Sequence, residues 1–135
     1  MATASDARAA LTETLGLLSA PDVREINALD RPPNGNVHCP ATYLGGRTGT
    51  RADQAGGRTI RIPVIALAGT DLEHDHDMLD RYIDGDLSIF DLIDANPTLG
   101  RDDLSATVVD EWADTTVEIG ATLYVGVEFT VEVQL

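Results

Sequence analysis

A chain of 135 residues with 43% apolar content is long enough for one domain, which at this size buries roughly 68% of its unfolded surface. Nine arginines, no lysine and twenty-three acids give a formal net charge of −14, which makes the chain a poor candidate for avid nucleic-acid binding, since that needs bases to neutralise phosphates and release counterions. No apolar run approaches the ~20 residues of a membrane span, the N-terminus lacks a signal-peptide core, and the lone Cys39 allows no internal disulfide.

Residues 3–19, TASDARAALTETLGLLS, predict a helix. Ala7, Leu11, Leu15 and Leu18 form one stripe with Ala10 and Leu17 beside it, Thr3 or Ser5 caps the start, and Pro21 ends it. DVREINAL (22–29) reads as a short strand and DRPPNGN as a turn cluster. VHCPATYL (37–44) reads as another strand, where Pro40 implies an edge or irregular position. Residues 45–57, GGRTGTRADQAGG, carry five glycines and no aliphatic side chain larger than alanine. They cannot furnish a core face and are expected to form a flexible loop or a hairpin tip.

RTIRIPVIALAG (58–69) alternates, with Ile60, Ile62, Val64 and Ala66 on one face. Two short helices follow. The first spans about Leu72 to Ile83 and ends near Gly85. The second starts at Ser88, with capping-box-like spacing to Asp91, and stops before Pro97. LSATVVDEW and TTVEIG are strand-like. In the closing TLYVGVEFTVEVQL, every second residue from Leu123 to Leu135 is apolar and the neighbours Tyr124, Gly126, Glu128, Thr130, Glu132 and Gln134 are largely polar. That is a long strand with one face in the core and one facing water. The fold class is α+β: one domain over 1–135, a mostly antiparallel sheet with an N-terminal helix and two short central helices packed on one face.

DLEHDHDMLD (71–80) sets His74 and His76 among four aspartates and a glutamate. A zinc site needs ligands converging at about 2 Å, but residues two apart on a helix diverge by about 200°. Leu72, Met78, Leu79, Tyr82 and Ile83 supply a buried stripe, so the charged residues read as a solvated face, with aspartates favouring the positive end of the helix dipole. The glycine-rich 45–57 segment lacks the Gly-Lys-Ser/Thr ending of a phosphate-binding loop. Cys39 is read as a small buried hydrophobe, because His38, its neighbour, points to the opposite face of a strand. Trp112 is read as a packing anchor. No motif demands an enzyme, and no cofactor or metal is expected.

Charge is unevenly placed. Gly45–Arg61 holds Arg47, Arg51, Arg58 and Arg61 against Asp53, a local +3, whereas Asp71–Asp94 holds nine acids and one arginine, a local −8. Such blocks can steer subunits together and fix their register. The candidate interface residues are therefore Arg47, Arg51, Arg58 and Arg61 on one side, and Asp75, Asp77, Asp84 and Asp86 on the other. The plainer alternative is two solvated surfaces.

The order of segments carries a resemblance. Ile62-Pro63-Val64 precedes Leu79-Asp80 with Tyr82, then Ser88-Ile89, then Pro97–Gly100, then the closing run of Tyr124, Gly126 and Glu128 to Val133. This pattern resembles the tail terminator proteins of long-tailed phages of actinobacteria, well over 58–135 and by layout alone before that. The resemblance implies a structural virion protein made in the host cytoplasm and located at the head–tail junction. There it would form a hexameric ring that ends polymerisation of the major tail tube protein and meets the head-completion proteins. DNA would pass through without specific binding, and no membrane is involved. A ring closes through heterologous contacts, which the basic and acidic segments could supply. Two alternatives stand beside it. One is another head–tail connector, such as a stopper or neck subunit, which gene order beside a tail tube gene would separate. The other is a small cytoplasmic enzyme or metal-binding domain using His74 and His76.

Overall fold

The computed structural model describes residues 3–20, 26–35, 37–46, 48–50, 58–71 and 75–135. Helix α1 (Ala4–Leu15) begins at Thr3, whose hydroxyl accepts the Asp6 N–H while the Asp6 carboxylate accepts the Thr3 N–H, a reciprocal capping box. It ends at Gly16, earlier than the expected residue 19, and this turns Leu17 out to 61% exposure while Leu18 returns to the core. Strands β1 (Asn27–Leu29), β2 (Ala41–Leu44), β3 (Thr48–Thr50) and β4 (Thr59–Gly69) follow. After them come helices α2 (His76–Asp84) and α3 (Ile89–Ala95), then the long strands β5 (Ser105–Ile119) and β6 (Thr122–Gln134).

The sheet runs β1-β2-β4-β6-β5, with β3 also paired to β4. Every pairing is antiparallel except β1 with β2. The fold is α+β, and all three helices lie on one face. There Ile60, Ile62, Val64 and Ala66 of β4 and Val125, Val127, Phe129, Val131 and Val133 of β6 meet Leu11 and Leu15 of α1, Leu79 and Tyr82 of α2, and Ile89 and Ile93 of α3. Phe90 packs edge-on against Phe129 at 5.4 Å between ring centroids. Full burial of each such side chain contributes roughly 1.5–3 kcal/mol.

The other face departs from the alternation. Tyr124 and Gly126, expected in water, are buried, and Leu123, expected in the core, is 56% exposed. The cause is the segment joining β1 to β2. With Leu29 of β1, its Val37 and Cys39 pack on a second apolar cluster of Tyr43, Ile65, Leu67, Ile119 and Tyr124, and the Val37 N–H donates to the Tyr124 hydroxyl at 3.1 Å. Leu123, near the start of β6, belongs to neither apolar cluster.

Several element boundaries differ from expectation for local reasons. The strand expected over 37–44 is reduced to β2, because Pro40, which has no N–H to give a ladder, stands just before it. Of DVREINAL, Asn27–Leu29 is strand and 22–25 lie outside the described residues. Of the 45–57 segment, Thr48–Thr50 pairs with Thr59–Arg61 as β3, while 47 and 51–57 lie outside. The helix expected from Leu72 begins at His76, and 72–74 lie outside. The two strand-like runs after residue 104 are one strand. Its middle bulges where Val109, Asp110 and Glu111 together face Thr130, and it ends in the two-residue turn Gly120–Ala121.

Candidate functional site

β4 carries the candidate charges toward opposite ends. Its eleven residues span roughly 33 Å at 3.3 Å each. At the first end, half-buried Arg58 precedes the strand and its C=O accepts the Leu135 N–H at 2.9 Å. Arg61 lies on the face away from the helices, where its Nε donates to Glu132 Oε2 at 3.2 Å across the β4–β6 pair. Arg47 and Arg51 lie outside the described residues.

Of the acidic candidates, Asp75 lies against the other end of β4, at Gly69, and Asp77, Asp84 and Asp86 follow on and after α2. Asp75 precedes α2; its Oδ2 accepts the Asp71 N–H at 2.8 Å, and the carboxylate lies over Gly69, where a Cβ would stand 2.4 Å from Oδ2. Asp86 is held by Arg81, whose Nε and second guanidinium nitrogen donate at 2.7 and 2.9 Å. That bidentate bond draws the Asp86 carboxyl below the usual carboxylate value, against slight desolvation. Asp77 in the first turn of α2 and Asp84 at its last residue are exposed. Asp77 is favoured by the helix dipole and Asp84 is opposed by it.

The groups considered for chemistry are dispersed. His76 is exposed at the first turn of α2, and His74 lies outside the described residues. Among the described residues, no group of three or more His, Cys, Asp or Glu side chains is placed to hold a metal ion, and no helix is long and apolar enough to cross a membrane. Cys39 packs on the second apolar cluster, and burial pushes its thiol up, with the Asp75 charge adding to the effect. The Tyr82 phenol is likewise raised by burial and donates to the Leu67 C=O at 3.2 Å. Trp112, expected as a packing anchor, is 47% exposed. The bulge before it carries it beyond the helices although it opposes core Phe129.

The sequence reading passed over the edge of the sheet formed by β5. Trp112, Asp114, Thr116 and Glu118 oppose Phe129, Val127, Val125 and Leu123, so all four lie on the helix-bearing face, and all four are exposed. Beyond Arg101 the chain has eight acids and no base. That asymmetry was visible in the sequence; the edge position was not, because it depends on the order of strands. No family model matches the chain, and no curated protein matches it.

Proposed function

We propose that the chain is a structural virion protein, a tail terminator. In this reading it forms a homo-oligomeric ring on the head-proximal end of a phage tail tube, ends tube polymerisation and receives the head-completion proteins. The observation that carries the reading is the polarity of the sheet. Four arginines lie in the sequence around β3 and the start of β4, while the chain beyond Arg101, which forms β5 and β6, carries acids and no base, two unlike patches of the kind that head-to-tail ring contacts use. The motifs that resemble terminators support it as well, since they fall at framework positions. Pro63 is central in β4, Leu79 and Tyr82 are buried in α2, Ser88 caps α3, and Gly126 sits where β6 approaches β4.

A net charge of −14 suits a conduit through which DNA slides without phosphate contacts holding it. Charge reversal of Arg47 and Arg51 to Glu tests the ring: a smaller particle by light scattering is expected, and an unchanged oligomer mass contradicts the role given to the basic segment.

A further inference from the structure

Among the described residues, the outer edge of β5 between Trp112 and Glu118 has no backbone partner. Its first half is different: the Ala106 N–H is covered, donating to the Pro97 C=O at 2.7 Å. Past the bulge, β5 and β6 close through Gly120–Ala121 with Ile119 opposite Thr122. The closing pair of a two-residue hairpin exchanges hydrogen bonds, and antiparallel ladders alternate. Ala113, Thr115, Val117 and Ile119 therefore turn their backbone groups to β6, while Trp112, Asp114, Thr116 and Glu118 turn theirs outward. Among the described residues β5 has no other strand partner. A long open edge is a template for another strand.

On the side of β4 away from β6, β3 has no strand partner but β4 among the described residues. The Pro63 C=O accepts the Gly45 N–H, which sets the alternation along β4: Thr59 and Arg61 bond Thr48 and Thr50 of β3. Gly49, opposite Ile60 on the helix-bearing face, therefore turns its backbone outward. Arg47 and Arg51 stand two residues either side of Gly49 in the sequence, four apart, the same spacing as Asp114 and Glu118.

We propose that β3 of a second copy adds antiparallel to the Trp112–Glu118 edge, Gly49 opposite Thr116. In that register outward backbone meets outward backbone, the two helix layers stay on the same side of one continuous sheet, and β3 brings the arginines that flank it in the sequence, Arg47 and Arg51, to an edge that carries Asp114 and Glu118. The contact rests on the ring reading and names its interface. It assigns the arginines to β5 in preference to the 71–94 segment, where Asp86 already holds Arg81 and Asp75 holds a backbone N–H.

The test mixes two full-length variants, Thr50→Cys and Thr115→Cys, which the register places opposite each other, under mild oxidant, with the wild-type chain as the blank for Cys39. A mixed disulfide in mass spectrometry is expected. It should be lost on Asp114→Arg with Glu118→Arg and regained when the partner chain carries Arg47→Glu with Arg51→Glu. Absence of the cross-link at millimolar protein, or an equal yield from off-register Thr107→Cys, overturns the pairing. A chain bearing both cysteines separates this claim from the ring: a ladder stopping at one closed size supports both. A ladder that runs on without limit keeps the strand pairing and overturns the ring.

Discussion

Tyr82 joins α2 to the sheet with a buried ring and one hydrogen bond to the Leu67 C=O. Tyr82→Phe keeps the ring and removes the bond, so urea unfolding should show a loss of about 0.5–1.5 kcal/mol; no loss would mean the hydroxyl contributes nothing. Gly126 is a matter of space. A Cβ there would stand 2.7 Å from the Ala66 carbonyl oxygen, so Gly126→Ala must part β4 from β6 at the sheet centre. The expected loss is about 1–3 kcal/mol, read as a lowered urea midpoint. Asp86 has a signed pH dependence. Its carboxyl lies below the ordinary 3.8 because Arg81 donates to it. The pairing therefore favours the fold above the unfolded value and is lost as pH falls through the lower folded value. Arg81→Gln should return the Asp86 titration toward 3.8 in carbon-detected NMR, and an unmoved midpoint contradicts that cause.

At the scale of elements, α3 depends on Ser88. Its hydroxyl accepts the Asp91 N–H at 3.2 Å and donates to the Ile83 C=O at 3.1 Å, joining the two short helices. Ser88→Ala should cost about 1 kcal/mol and be seen first in hydrogen exchange of α3; Thr in its place should retain most of the protection. This cap was legible, as were the start of α1, the face of β4 and the extent of β6, because each is fixed by local pattern. The second apolar cluster was not. Nothing in YVGVEF says that Tyr124 will be roofed by Val37, 87 residues away. Nor does the alternation of β6 say how far the apolar clusters extend, so Leu123 was placed on the correct face and in the wrong surroundings. The bulge in β5 was hidden for a similar reason. Three residues opposing one is a property of the pair, and the sequence shows a single strand at a time.

For the whole molecule, the charge asymmetry was plain in the sequence, but its assignment to edges needed the strand order. The +3 and −8 blocks, the most charged windows, make natural partners in the sequence; the sheet adds a third surface, β5, whose Asp114 and Glu118 have the same four-residue spacing as Arg47 and Arg51. Attraction across such a contact is screened over about 8–10 Å at 0.1–0.15 M salt. Association measured by sedimentation should therefore weaken between 50 and 500 mM NaCl, on the order of tenfold; insensitivity to salt would argue for an apolar interface instead. The proposed place at the head–tail junction of a particle is decided by gold-labelled antibody on intact virions, imaged by electron microscopy. Label at the head–tail junction is the predicted result. Label absent from intact particles and also from disrupted necks, where buried epitopes are open, would contradict it.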